Sequence, residues 1–450
     1  MTGTAATAAP VVTADPQPNV ELTIGDSHAA NGLRITQLSN GLTVATERIP
    51  GALSIAAGAW VGVGARDEPE HLCGVSHFLE HLLFKGSETR SAREISQTVD
   101  RVGGDINAFT AKEYTAYYCR LPARHQSLAI GLLGEVLTSP ALRGEDVDNE
   151  RQVILEELAM DDDSPDDVAH RAFMRHLFPD HPLGWETAGT VETVEAITPA
   201  DVREFFSAHY RAGSCVVAVS GPLDHDDTLV EIEAAFAALA TGDGRVTRDV
   251  AGDSTSGEVL EDDTEQVHIV LGMQALSRDD PDREALDVVN HVFGGGLSSR
   301  LFDEIRERRG LAYSVYSGVS SYTDAGAFTI YAGTQPPHAA EVMELIHEQL
   351  ALLIKDGITD DELDIAKGYL TGAFELGLED TGSRMARVAS LLVTTGEVRP
   401  VGEQVARWDA VQQVDARRVI ERILSMPLTV VALGPIDAAT APALRLGSAT

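Results

Sequence analysis

The segment GVSHFLEHLLFKG, residues 74–86, predicts a helix that ends at Lys85 and Gly86. His77 and His81 are four residues apart, so both imidazoles leave the same helix face, one turn apart. Two nitrogens in that position can reach one Zn²⁺ at about 2.0–2.1 Å. Glu80 lies beside them, where a carboxylate can take a proton from a metal-bound water molecule. A surface helix with chance polar residues is the alternative, but polar groups among apolar neighbours need partners.

A zinc site that performs catalysis needs a third protein ligand from elsewhere in the chain. The best candidate lies on the helix predicted over Glu145–Met160. Glu157 and Glu150 are seven residues apart on that helix, so they share one face and are two turns apart. One of the two carboxylates could bind the metal while the other orients a histidine.

The predicted elements follow a similar order on either side of LATGDGRVTRDVAGDSTS, residues 239–256, which is interpreted as a linker. Residues 26–238 would form an N-terminal domain that carries the metal motif. Residues 257–450 would form a C-terminal domain without one, and residues 1–25 a disordered tail. Strands that outnumber regular βαβ units, together with grouped helices, favour two similar α+β domains. Each would be a mostly antiparallel sheet packed with helices.

The composition argues against several classes of function. The net charge of −36 repels nucleic acid and anionic membranes, and no apolar run approaches the roughly 20 residues of a membrane helix. The first residues lack a secretory pattern, and three widely spaced cysteines form neither a disulfide framework nor a metal motif. We therefore expect a cytoplasmic protein. The acidic surface leaves two interpretations open, attraction of cationic peptides or a solvated surface suited to high internal salt.

The chain resembles the pitrilysin/insulysin-type zinc metallopeptidases, which are inverzincins, in the branch of the mitochondrial processing peptidase and its bacterial relatives. The resemblance runs from about Leu33 to Gly434. It implies that Glu157 is the third metal ligand and that Glu150 supports the site. The matching motifs, besides residues 74–86, are ERQVILEE (residues 150–157), GDINAFT (residues 104–110) and GGGLSSRLF (residues 294–302).

The same resemblance implies roles in substrate binding. Asn107, Ala108 and Phe109 would belong to an edge strand, which can add an extended peptide through main-chain hydrogen bonds. Arg306 and Tyr313 would hold the substrate carbonyls and stabilise the oxyanion, although read alone they are an exposed helix cation and a strand aromatic. The chain departs from the family at HPLGWE, residues 181–186, where HPLGRP is common.

The function that the resemblance implies is a zinc-dependent endopeptidase with one Zn²⁺ per chain. Glu80 would be the general base for a metal-activated water, and the substrates would be short or unfolded peptides inside a closed chamber. A chain of this size resembles half of the larger single-chain relatives, which implies a clamshell made by a homodimer, or by a heterodimer. Each zinc would then face Arg306 and Tyr313 of the other chain.

Two alternatives to a general peptidase remain. One is a non-catalytic core or binding subunit of a larger complex, although such relatives usually lose the ligands or the base that this chain keeps. The other is a protease dedicated to one precursor peptide.

Overall fold

Strand-forming residues build two sheets in the computed structural model, which describes residues 19–22, 32–436 and 444. The N-terminal sheet has the order β1-β2-β3-β7-β4-β6-β5. Its neighbouring strands are antiparallel except β3 and β7, which are parallel. The strands are β1 (Val20–Glu21), β2 (Leu33–Gln37), β3 (Thr43–Arg48), β4 (Ser54–Val61), β5 (Asp105–Thr110), β6 (Thr115–Pro122) and β7 (Cys215–Gly221).

The helices of the N-terminal half cover one face of this sheet and bury a core of Val, Leu, Ile and Phe side chains. Phe78, Leu79 and Leu82 of the first helix are fully buried in it. Its polar residues therefore lie on the remaining face, toward a neighbouring helix. The helices are α1 (Val75–Leu83), α2 (Ala92–Asp100), α3 (Gln126–Thr138), α4 (Gly144–Asp162), α5 (Pro165–Leu177), α6 (Val191–Ala196), α7 (Pro199–His209) and α8 (His225–Ala235).

The C-terminal half has a five-stranded sheet in the order β10-β11-β9-β12-β8. Only β12 and β8 are parallel neighbours. Its strands are β8 (Gly257–Glu261), β9 (Val267–Ala275), β10 (Ala312–Ser321), β11 (Gly326–Thr334) and β12 (Thr429–Gly434). Its helices are α9 (Arg283–Asn290), α10 (Ala339–Asp356), α11 (Asp360–Gly377), α12 (Thr381–Thr395), α13 (Val401–Ala410) and α14 (Gln413–Leu424).

One helix of each half packs on the sheet of the other half. Phe173 and Leu177 of α5 pack on the C-terminal sheet, against Val270, Val431 and neighbouring residues. Conversely, α12 packs on the N-terminal sheet, where Met385 belongs to the same buried hydrophobic cluster as Trp60. Because helices then cover both faces of each sheet, the central strand β7 is buried along its whole length.

A cluster of ion pairs also joins the halves. The carboxylate of Glu113, in the turn between β5 and β6, accepts hydrogen bonds from Arg66, from Arg278 and from the backbone N–H of Thr323. It also forms an ion pair of 3.3 Å with Arg248. The side chains of Glu113 and Arg66 are each 1% exposed. We call this group the ionic cluster; its members are Arg66, Asp67, Glu113, Arg248, Arg278 and Asp324.

The fold class predicted from the sequence, two α+β domains with mostly antiparallel sheets, is confirmed. Two segments of the C-terminal half, His291–Gly295 and Phe302–Glu307, are π-helical rather than α-helical. Residues 240–256 contain no helix or strand, but Arg248 of this linker is held in the ionic cluster. Of the predicted disordered tail, Val20–Glu21 forms a strand paired with β2; residues 1–18 and 23–25 lie outside the described residues.

Among the described helices, none combines the length and the apolar character needed to cross a membrane.

Candidate metal centre

The start of helix α1 is held by a buried carboxylate and a glycine. Glu68 accepts the N–H of Gly74 on one oxygen and the N–H of Ser76 on the other, each at 2.6 Å. Burial raises the pKa of Glu68 to about 8, against the opposing effect of these hydrogen bonds. Gly74 has a φ of 97°, and a Cβ at this residue would lie 2.5 Å from the carbonyl oxygen of Ala188. These contacts fix where α1 begins and how it is rotated.

Two helices bring three ligand-type side chains together. His77 and His81 of α1 have ring centroids 4.6 Å apart. Glu157 of α4 places Oε2 3.9 Å from Nε2 of His77 and 3.6 Å from Nε2 of His81. One ligand atom from each of these residues lies within 4.8 Å of the others, and within the described chain this is the one such group of three or more.

The residues present fit a zinc ion. Two imidazole nitrogens and one carboxylate oxygen are a donor set that Zn²⁺ takes in catalytic sites. Burial, with a smaller contribution from His81, lowers the pKa of His77 to about 4. His77 is therefore neutral near pH 7, and a neutral imidazole is the form that binds metal. Its Nδ1 is buried with no hydrogen-bond partner among the described residues.

Glu150 supports His81 from the side away from Glu157. Its Oε1 lies 3.4 Å from Nδ1 of His81, and its side chain is 4% exposed. A hydrogen bond donated by Nδ1 leaves the lone pair of the imidazole on Nε2, the atom that faces Glu157. The two carboxylates of α4 thus take different positions about the same histidine.

Glu80 lies on the same helix as the two histidines and faces a cavity. The hydroxyl of Thr110, the last residue of β5, donates a hydrogen bond of 2.7 Å to its Oε2. Burial raises the pKa of Glu80 above its ordinary value, although this hydrogen bond opposes the shift. A carboxylate with a raised pKa, held by one oxygen, is suited to accept and return a proton.

The cavity beside the metal ligands has a volume of about 430 Å³ and an acidic wall. Besides Glu80, three carboxylates and one guanidinium line it and form this wall: Asp161, Asp167, Glu186 and Arg171. Burial raises the pKa of Glu186. The lining therefore favours a cationic or hydrogen-bond-donating group over an anion.

The predicted edge strand lies at the rim of this cavity. β5 is the last strand of its sheet, paired only with β6 among the described strands. Phe109, which is 38% exposed, and Thr110 line the cavity. On the same strand, the N–H of Ala108 donates to Oδ1 of Asn107. Because no described strand pairs with the outer edge of β5, its outward-facing main-chain groups could pair with an extended peptide.

Arg306 and Tyr313 lie together on the surface of the C-terminal half. The guanidinium carbon of Arg306 is 4.7 Å from the ring centroid of Tyr313 and 4.6 Å from that of Phe302. The Tyr313 residue is 79% exposed. Neither residue is among the described residues that line the cavity at His77.

Sequence reasoning did not identify Glu68, Thr110, Lys85 or the acidic wall as parts of the site. Thr110 directly follows the predicted substrate strand, and the alternation of side chains along a strand could have indicated that it faces α1. No sequence pattern indicates a role for Glu68 or the wall residues, because only the folded structure brings them close to the site.

Comparison with known proteins identifies the family. Residues 43–191 match the model described as Insulinase (Peptidase family M16), and residues 196–370 match the Peptidase M16 inactive domain. A protein of Streptomyces coelicolor named as an uncharacterized zinc protease is 42% identical over 424 residues, which are 92% of each chain. The chain belongs to the M16 peptidase family. A Mycobacterium tuberculosis relative with the same kind of name is 40% identical, over 91% of this chain and 95% of its own.

Solved structures of this family have the same fold. A protease from Helicobacter pylori superposes with a TM-score of 0.84 at 25% identity, over 89% of this chain and 99% of that one. The match to the M16 inactive domain includes the larger part of the half that carries no metal motif. The model described as Insulinase (Peptidase family M16) covers the half in which His77, His81 and Glu157 come together.

Proposed function

We propose that this M16 protein is a zinc-dependent endopeptidase that cleaves short or unfolded peptides. The observation that carries the proposal is the meeting of His77, His81 and Glu157 beside Glu80, at a cavity bordered by an edge strand. The names of the relatives support a protease that uses zinc.

One Zn²⁺ per chain would be held by His77, His81 and Glu157, and when bound it would polarise the scissile carbonyl and activate water. Glu80 accepts the proton of the attacking water on the carboxylate oxygen that Thr110 leaves free, and later delivers it to the leaving amine. Glu150 keeps the ring of His81 in one orientation throughout.

The substrate backbone would lie along β5. Asn107, Ala108 and Phe109 provide main-chain groups that pair with an extended peptide, with little demand on its sequence. A strand whose end lies beside a cavity of about 430 Å³ is suited to a substrate that offers an extended segment. This supports substrates that are short or unfolded, and the acidic wall supports a preference for cationic residues near the scissile bond.

Arg306 and Tyr313 would act on the site of a second copy of the chain. The Tyr313 side chain is exposed and stacked with Arg306, and neither lines the cavity of its own chain. A homodimer in which each chain presents this pair to the metal centre of the other would give both residues a catalytic position. Their donor groups would stabilise the negative charge that develops on the scissile carbonyl.

The test of the proposed function is the Glu80→Gln variant. It should bind Zn²⁺ like the wild-type protein but hydrolyse an unstructured peptide about 10²- to 10⁴-fold more slowly, because the general base is lost. Glu156→Gln, an exposed change on α4 next to Glu157, is the matched control and should hydrolyse at the wild-type rate. Hydrolysis by Glu80→Gln near the wild-type rate would exclude this mechanism.

Measuring peptide hydrolysis also distinguishes the proposed endopeptidase from the main alternative. A non-catalytic core subunit would show no chelator-sensitive hydrolysis in the wild-type protein for any member of an unstructured peptide library. Cleavage of a single library sequence would instead favour a protease dedicated to one precursor.

A further inference from the structure

Lysine is rare in this protein, and one of its lysines lies directly behind the metal centre. Of 34 basic side chains, only Lys85, Lys112, Lys355 and Lys367 are lysines. Lys85 follows the end of α1, and its Nζ is 2.5 Å from Oε2 of Glu150. The other oxygen of the same carboxylate, Oε1, faces Nδ1 of His81. The three side chains form a line from the surface to the imidazole.

Glu150 needs a cationic partner in this position. Its side chain is 4% exposed, whereas that of Lys85 is 41% exposed, so the ammonium remains hydrated while the carboxylate does not. A buried carboxylate without a compensating charge is costly, and it rotates to find another donor. With Oε2 held by Nζ, the carboxylate is fixed in the plane that directs Oε1 to Nδ1 of His81.

We propose that Lys85 is a positioning residue of the metal centre, which acts through Glu150 to hold His81 with Nε2 directed at the metal. The proposal rests on the metal site of the proposed function. The alternative is that Lys85 only stabilises α1, since a cation at a helix C-terminus interacts favourably with the helix dipole. That role would stabilise α1 without affecting how tightly the site binds a metal.

The experiment measures Zn²⁺ affinity by competition with a fluorescent chelator, which does not depend on catalytic activity. In Lys85→Met the dissociation constant for Zn²⁺ should rise about tenfold or more, the usual effect of losing a group that orients a metal ligand. Lys85→Arg keeps the charge and should regain most of the affinity. Lys355→Met is the matched control, because Lys355 likewise lies close to a helix C-terminus, in the last turn of α10, and its removal should leave the affinity unchanged.

A second pair of variants tests the path through Glu150. In a Glu150→Gln background, the change Lys85→Met should weaken Zn²⁺ binding by less than about twofold, because the two residues act as one unit. An undiminished tenfold loss in that background would overturn the proposal, and so would wild-type affinity in the single variant Lys85→Met.

Circular dichroism of the metal-free proteins checks that the variants fold. Lys85→Gln repeats the test with a polar neutral side chain if Lys85→Met does not fold. A wild-type protein that binds no Zn²⁺ would overturn both this inference and the proposed function. A wild-type protein that binds Zn²⁺, with Lys85→Met and Lys85→Gln binding equally well, would overturn this inference alone.

Discussion

Gly74 is a single residue on which the start of α1, the helix that carries His77 and His81, depends. Its φ of 97° lies in the left-handed region, and the atoms that a Cβ would meet are backbone atoms of Ala188 and Gly189. Gly74→Ala should lower the free energy of unfolding by about 2 kcal/mol or more, through backbone strain and overpacking. Thermal unfolding of the metal-free protein measures the effect.

Gly131→Ala provides the control for this change. Gly131 lies on the exposed face of α3, and no atom lies within 4 Å of the position its Cβ would take. Alanine should therefore stabilise the helix at this residue by up to about 1 kcal/mol. Equal effects of the two substitutions would contradict the role assigned to Gly74.

The residues that could be predicted from sequence are those whose relation follows from a regular helix. His77, Glu80 and His81 share a turn and a half of α1, so their spacing alone predicts that they are neighbours. Glu150 and Glu157 share a face of α4, but which carboxylate faces the metal depends on how α4 packs on α1. That choice came from the resemblance to a family, and the structure directs Glu157 to the two Nε2 atoms.

At the level of elements, local signals predicted more than long-range packing. The spacing of Ser91 and Glu94 predicts a capping box, and both of its hydrogen bonds are present at the start of α2. No sequence signal indicated that α12 would pack on the sheet of the other half, because its apolar stripe fits any apolar surface. Which sheet α5 and α12 pack on depends on how the shapes of the two surfaces fit, and the spacing of apolar residues does not indicate this.

The ionic cluster predicts that Glu113 contributes strongly to the contact between the halves. Burial alone would raise the pKa of Glu113, but the Thr323 N–H and the guanidinium groups of Arg248 and Arg278 outweigh it, so that pKa lies below its ordinary value. Glu113→Gln keeps the shape and removes the charge that three arginines face. Breaking a buried pair in this way should cost about 3–5 kcal/mol of unfolding free energy.

The measurement for Glu113→Gln is the thermal unfolding midpoint of the metal-free protein. Glu341→Gln is the control, because Glu341 pairs with Arg309 at 3.8 Å on the surface, where both side chains are 42% or more exposed. Such a pair contributes about 0–1 kcal/mol. A midpoint for Glu113→Gln no lower than that of the control would mean that the charge of Glu113 does not stabilise the contact between the halves.

The whole molecule combines an acidic surface with a candidate metal centre in one of its two halves. Its net charge of −36 remains consistent with either attraction of cationic peptides or a surface suited to high salt. The sequence could predict two α+β halves because their order of elements repeats. It could not predict whether Arg306 and Tyr313 serve their own chain, since that depends on a surface outside the chain.

The proposed homodimer predicts recovery of activity when two inactive variants are mixed. Glu80→Gln lacks the proton acceptor, and Tyr313→Phe lacks the hydroxyl that would face the other chain's metal centre, so each homodimer should be impaired. A hybrid dimer has one site with both defects and one site with neither. Mixing equal amounts should therefore restore about a quarter of the wild-type rate, since half of the dimers are hybrids with one intact site.

Subunit exchange must be demonstrated independently, for example by energy transfer between labelled subunits. The mixture of Glu80→Gln with wild-type protein supplies the control, because it gains no intact sites from exchange and its rate should equal that of the wild-type protein present. If exchange is complete and the two inactive variants stay inactive together, each chain would use its own residues, and the clamshell would not be formed by two copies of this chain.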